Sequence, residues 1–391
     1  MKLIHIKNGD AILKDRIVKD VSVLIGGSKI VSVGKKSSKD AIVIDAKDCF
    51  VAPGFIDTHI HGEPREIFRN EVRHGTTSIV IAQSCAPLAA IYETIDRIKS
   101  FVETSPVGTN VLGVRLEGPY INARKAGAQD RRYIRKPAAR QLDTIVKRCG
   151  ALLRIMTIAP EIQGALPLIR SLKKKDIIAS IGHSYATFGE ARDGIAAGIG
   201  HATHLFNAMR GMDSREPGVV GAVLSARSVV AEIILDLVHV HASLFGLVIQ
   251  TKGLDRTVLV TDSVKASRSA AIRLARGAYR FRDGRLAGSS LTMMGAVKNA
   301  VRSAGLDMAS AVRLATANPA RMLGIQRTKG SLAAGKDADI VIFDKNFEAQ
   351  LTLIRGEVVY YKKNSLRHQT LATGPWQLAT NVSITRRLCA A

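Results

Sequence analysis

The sequence predicts an α/β protein: a (β/α)8 barrel over residues 51–325, with a small β-sandwich domain assembled from both chain ends. Eight short apolar runs alternate with helical stretches through the middle of the chain, strand-like runs bounded by turn residues occupy both ends, and chemistry-bearing side chains recur where the middle runs stop. Strand alternating with helix is the pattern of a parallel sheet with crossover helices. Eight such units suit a chain of 391 residues, because a barrel takes about 250 and leaves room for a satellite domain.

Residues 1–50 read as KLIHIKNGD, SVLIGGSKIVSVG and AIVIDAKDCF, and residues 326–363 read similarly through GSLAAGKDADIVIFD and LTLIRGEVVYY. Both are strand groups broken by turns. Between them lie VAPGFIDTHIH, TTSIVIA, NVLGVRLE, LLRIMTIA, IIASIGH, GIGHATHLF, VVAEIILDL and TVLVTD. Eight strands in this order predict a closed barrel, the terminal groups pairing beside it. Residues 364–391, with Trp376, carry no periodic pattern and read as a C-terminal extension.

A hydrophobic share of 46% allows a sizeable core. The most apolar run, SVVAEIILDLVHV, is interrupted by Glu232 and Asp236, so no membrane span is predicted, and the start has no leader-like apolar stretch. Cys49, Cys85, Cys149 and Cys389 are widely spaced and form no metal or redox pair. Free thiols and a cytoplasmic location are the expectation. The net charge of +24 would suit a nucleic-acid binder, but the Lys and Arg are scattered, with short clusters such as Lys173–Lys175, and no nucleic-acid motif accompanies them. A solvated basic surface that attracts anionic substrates is the reading adopted.

His59 and His61 close the first middle run, Glu117 the third, His183 the fifth, His204 the sixth and Asp262 the eighth, with His239 just past the seventh. In a barrel these ends converge on one rim, where active sites lie. His59-x-His61 puts both imidazoles on one strand face because the side-chain period is two. With Glu117, His183 and His204 they form a donor set for a divalent metal, zinc or iron. Such an ion lowers the pKa of its water towards 7 and makes hydroxide available. Asp262 can take the proton and pass it to a departing amine. His5, His74, His201, His241 and His368 are read as structural or exposed; His201 stands three residues before His204, an odd offset that would turn it away on a strand.

PGFIDTHIHG (53–62), HGTTS (74–78), LEGPYIN (116–122), GHS (182–184), THLFNAM (203–209), VTD (260–262), AGSSLTM (287–293) and GKDADIVIFD (335–344) together resemble the N-acetylglucosamine-6-phosphate deacetylases of the amidohydrolase superfamily. The resemblance runs in order from residue 1 to 362. It implies a TIM-like metal-dependent hydrolase barrel that deacetylates an N-acetyl amino-sugar phosphate, with N-acetylglucosamine 6-phosphate as the first expectation. Glu117, His183 and His204 match the principal metal ligands, and His59 and His61 a pair that some members lack and that can hold a second ion, so the resemblance implies one or two ions per subunit. Asp262 matches the catalytic acid/base. Asn207, Ala208 and His239 match the sugar-phosphate pocket, with Met293 carried over beside them. Arg215 matches an arginine that reaches the phosphate from the neighbouring subunit of a homodimer.

The chain departs from the family pattern at three places. Gly127-Ala128-Gln129 stands where the pattern ends in Gly-Ala-His, so Gln129 can donate an amide N–H to the substrate carbonyl but no charge. The segment between His61 and His74 is short, its glycine-rich loop replaced by GEPREIFRNEV, and Met294 follows LTM where an acid is common. Arg124, Lys125, Arg131, Arg132, Arg135 and Lys136 around Gln129 are read as a loop over the substrate. The alternatives left open are N-acetylgalactosamine 6-phosphate, another amide, and a sugar-phosphate-binding relative without activity. Metal analysis and acetate release from a panel of acetamido sugars separate them.

Overall fold

The computed structural model describes residues 3–34, 38, 40–104, 110–267 and 270–362. The eight expected middle strands form at Phe55–Gly62, Thr76–Ser84, Val111–Glu117, Leu153–Ile158, Ile178–Ile181, His201–Ala202, Val230–Ile234 and Thr257–Val260. Each pairs in parallel with the next in chain order. Both faces of these strands are covered, and they read as nearly continuous apolar runs for that reason. The crossover helices carry the matching stripe: Ile91, Ile95 and Ile98 are the buried residues of the helix Leu88–Thr104, and Leu142, Ile145 and Cys149 those of Ala139–Cys149. Such three-and-four spacing keeps one helical face on the sheet.

The curled sheet returns to its first strand by an unexpected route. Thr257–Val260 makes no described ladder with Phe55–Gly62; its continuation Ser263–Ala266 does, through Ser263 opposite Ile60. The chain turns at Thr261 and Asp262 because the Asp57 carboxylate accepts from Thr261 Oγ1 at 2.5 Å and the His59 carbonyl from Asp262 N at 2.8 Å. Three further strands not expected from the sequence, Ile272–Ala275, Ala278–Phe281 and Leu286–Ser289, extend this edge over the rim.

The sixth run is also shorter than expected. Only His201–Ala202 is strand, and the chain then coils through positive φ at His204, Phe206 and Ala208. This corrects the reading of His201. It points into the barrel, where its Nδ1 lies 2.8 Å from Ser180 Oγ, because the strand ends before the three-residue offset to His204 can apply. The segment after His61 folds as a short helix, Pro64–Glu71, with proline in its first turn, and a 3-10 turn to His74.

Both chain ends share one eight-stranded sheet. Phe50–Pro53 pairs antiparallel with Ile340–Phe343, with Val51 opposite Ile342. AIVIDAKDCF is split into Ile42–Asp45 and Phe50–Pro53 by a turn with Asp48 at φ 62°. Ile6, Val23, Val51, Ile340 and Ile342 belong to the core of this sheet, whereas Val341 and Phe343 join the barrel core. Strand Ile340–Phe343 therefore separates two cores by its two-residue period. Cys49, Cys85 and Cys149 are buried free thiols. Among the described residues no helix is long and apolar enough to cross a membrane. Trp376, His368, Cys389 and the expected extension lie outside the described residues.

Candidate active site

Six of the seven residues expected at the strand ends surround one rim cavity of about 530 Å3, and the seventh, His59, lies buried beneath it. His183, His204 and Asp262 adopt left-handed backbone, φ 48°, 31° and 48°. Non-glycine residues rarely sit there, and the strain is retained where it aims a side chain out of a strand and into a site.

Glu117 divides the cluster. Its Oε1 lies 2.9 Å from Nε2 of both His183 and His204, and those two nitrogens are 3.2 Å apart. Its Oε2 lies 3.4 Å from His61 Nε2 and 3.7 Å from His59 Nε2. Asp262 Oδ1 faces the same two imidazoles at 3.1 and 3.3 Å. Two groups of potential ligand atoms thus share Glu117: His59, His61 and Glu117, and Glu117, His183 and His204.

The tautomers show what these groups suit. His183 Nδ1 faces the Lys125 carbonyl at 2.9 Å and His204 Nδ1 the Asn207 carbonyl at 3.2 Å. A carbonyl only accepts, so each Nδ1 carries the hydrogen and each Nε2 presents a lone pair. Two imidazole lone pairs and a carboxylate oxygen aimed at one point repel unless a cation lies between them. His59 repeats the arrangement. Its Nδ1 donates to Glu232 Oε1 at 2.6 Å, while its buried Nε2 has no hydrogen-bond partner. Burial and Arg115 work to lower the pKa of His59, but Asp262, Glu232 and Glu117 outweigh them and raise it to about 10, so these carboxylates call for a positive charge at Nε2, which a cation supplies in place of a proton. Burial alone would raise the Glu117 pKa, yet the positive charge at His59 leads the effects that hold it well below the usual carboxylate range. The donor set fits a divalent cation, with two imidazoles on each side of the shared Glu117 carboxylate.

Asp262 is ionised, its burial outweighed by His59 and by the hydrogen bond to His61, which together lower its pKa. Asn207, Ala208 and His239 line the cavity beside Glu117. His239 is oriented by Asp236, whose Oδ2 accepts from Nδ1 at 2.6 Å. Gln129 also lines the cavity, its Nε2 donating to Glu117 Oε2 at 2.8 Å. An amide nitrogen carries two hydrogens, so one N–H remains beyond this bond. Met293 is not on this wall: as the first residue of the helix Met293–Arg302 it is fully buried in the barrel core. Arg215 is exposed on the turn from Asp213 to Glu216 and lines no part of its own chain's cavity. The basic loop covers the cavity only with Gly127, Ala128 and Gln129. Its cations point elsewhere: Arg124 packs on the Tyr185 ring at 3.7 Å and Arg132 pairs with Asp130.

Several groups around the site were not singled out from the sequence. Glu232 accepts from His59, from His204 N and from Arg115, and both Glu232 and Arg115 are fully buried. The only signal was a pair of acids, Glu232 and Asp236, inside the most apolar run of the chain. Arg285, from the unexpected edge strands, lines the cavity and donates to the Gly127 carbonyl at 3.0 Å.

The comparisons with known proteins agree with this geometry. The Amidohydrolase family matches residues 50–359. The chain is 32% identical over 392 residues to the N-acetylglucosamine-6-phosphate deacetylase of Bacillus subtilis (strain 168), covering 92% of this chain and 98% of the relative. The chain belongs to the amidohydrolase family, within its N-acetylglucosamine-6-phosphate deacetylase branch. This amidohydrolase is also 32% identical, over 332 residues, to an N-acetylgalactosamine-6-phosphate deacetylase from Escherichia coli O157:H7, covering 80% of this chain and 88% of the relative. Among solved structures, a mutant N-acetyl-D-glucosamine-6-phosphate deacetylase from Mycobacterium smegmatis, in complex with N-acetyl-D-glucosamine-6-phosphate, superposes with a TM-score of 0.84. The match has 28% identity and covers 92% of this chain and 99% of that one.

Proposed function

We propose that this amidohydrolase removes the acetyl group from an N-acetyl amino-sugar phosphate, with N-acetylglucosamine 6-phosphate as the substrate and acetate and glucosamine 6-phosphate as products. The observation that carries the reading is the convergence of Glu117, His183 and His204 on one point of a cavity that Asp262 also enters. The kinship to amino-sugar-phosphate deacetylases along nearly the whole chain supports the substrate class.

In this reading Glu117, His183 and His204 would hold a divalent ion, zinc or iron, and His59 and His61 would hold a second together with Glu117. Such an ion polarises a carbonyl oxygen and lowers the pKa of a water towards 7. Asp262, kept ionised by His59 and His61, accepts the proton released at the attacking water and delivers it to the nitrogen of the amine as the C–N bond breaks. Gln129 offers its remaining N–H to the acetamido carbonyl. Asn207, Ala208 and His239 bind the sugar phosphate, His239 with its ring fixed by Asp236. Arg215 reaches the phosphate of a neighbouring subunit in a homodimer. A cytoplasmic location suits a phosphorylated substrate and the buried free thiols.

Acetate release should be measured from N-acetylglucosamine 6-phosphate, N-acetylgalactosamine 6-phosphate and unphosphorylated N-acetylglucosamine, before and after chelation. The expected result is metal-dependent turnover that requires the phosphate and is fastest on the first sugar. Full metal-loading without acetate from any of the three would overturn the reading.

A further inference from the structure

The loop that follows Glu117 touches the cluster from three sides. Gln129, 7% exposed, lies between Cys85 and Glu117: its Oε1 accepts from Cys85 N at 2.7 Å and its Nε2 donates to Glu117 Oε2 at 2.8 Å. A backbone N–H can only donate, so the amide oxygen must face Cys85, and the NH2 group is thereby turned to the carboxylate. The Lys125 carbonyl takes the Nδ1 hydrogen of His183, and Asn122 N donates to the His183 carbonyl at 2.8 Å. Gly127 stands so close to His183 that a Cβ there would lie 3.3 Å from its Cε1. Residues 122–129 therefore contact Glu117 and His183, two of the three side chains of the Glu117–His183–His204 group.

We propose that residues 122–129 are a clamp coupled to the metal centre, with Gln129 the positioning residue that holds Glu117 in its ligating rotamer. The proposal rests on the reading of Glu117, His183 and His204 as ligands. A glutamate carboxylate turns freely about its last bond, and the terminal torsion is the softest in the side chain. The Gln129 N–H pins Oε2 and so directs Oε1 to the two imidazoles. Bracing of this kind typically contributes about 10–100-fold in metal affinity. Coupling is reciprocal: if the ordered loop favours the cation, the cation favours the ordered loop by the same factor. Glutamine suits the position because one planar amide satisfies both the Cys85 N–H and the carboxylate, and it stays neutral beside the cation.

The test uses the full chain, stripped with a chelator and titrated with Zn2+ against a competing indicator, with hydrogen exchange followed across residues 118–137. Zinc should slow exchange over 122–129 in the wild-type protein. Gln129→Met, matched in size but without a donor, should lower zinc affinity about 10–100-fold and reduce that protection. A purely structural role would instead lower the metal-free melting temperature and leave zinc affinity unchanged, which overturns the proposal. So does wild-type exchange over 122–129 that ignores zinc, a result that needs no variant. Glu117→Gln is the control. If it binds zinc like wild type, the ligand assignment has failed; if it loses zinc while Gln129→Met binds normally, the clamp alone has failed.

Discussion

Asp262 and Glu117 are both carboxylates in the same cluster, yet their neighbours give them different tasks. Glu117 faces four imidazoles and accepts from the Gln129 amide, whereas among the described residues the Asp262 carboxylate faces only the imidazoles of His59 and His61 and keeps an edge on the cavity. Asp262→Asn should therefore leave metal content unchanged while lowering kcat by about 100-fold or more, the usual share of a positioned proton carrier. Plasma mass spectrometry for the metal and acetate release for kcat read the two effects apart, and near-normal turnover would remove Asp262 from the mechanism. The candidate ligands were legible because metal chemistry admits few residue types and strand ends are readable. Their partners were not. Glu232 stands 173 residues from His59, and a lone acid in an apolar strand does not announce which ring it holds.

At the scale of elements, the helix Pro64–Glu71 replaces a loop and buries Glu71. Burial pushes the Glu71 pKa up to about 8, with Lys265 opposing and Asp57 assisting. The sign follows from a folded value above the unfolded one. The folded state holds the extra proton, so this stability is fully present below about 4.5 and is lost as pH rises through about 8. Glu71→Gln removes the titration, and its thermal stability relative to wild type should improve between pH 5 and 9. Parallel melting curves for the two proteins across that range would show that Glu71 does not titrate there. The helix itself was latent in PREIFRNE, with proline in the first turn and Ile67 and Phe68 on the buried face. The coil at His204–Met209 was not, because apolar GIGHATHLF fits a strand until tertiary contacts, such as Leu205 N on the Glu232 carbonyl, draw it out of line.

Across the whole molecule, the strand Ile340–Phe343 alternates between two cores, and Phe50–Pro53, its partner, runs almost directly into the first barrel strand. The sheet and the barrel should therefore unfold together. Ile342→Ala empties a fully buried position on the small-sheet side, and a cost of about 2–5 kcal/mol is expected. Calorimetry of the protein loaded with zinc as a probe should show one transition at a lower temperature, with the added zinc released in the same step. A separate early transition that leaves the barrel holding its zinc would show the two cores to be independent.

The sequence by itself determined the period and order of the elements, and with them the layered α/β architecture and the rim on which His61, Glu117, His183, His204 and Asp262 meet. Those features depend on local patterning and on parallel strands ending at the same side of a sheet. Tertiary structure alone decided the seam at Ser263–Ala266, the inward turn of His201, the burial of Met293, the outward course of the basic loop and the two-sided grip of Gln129. Each depends on which hydrogen-bond partner, ring or apolar surface a distant segment brings into contact, and no pattern along the chain encodes that contact.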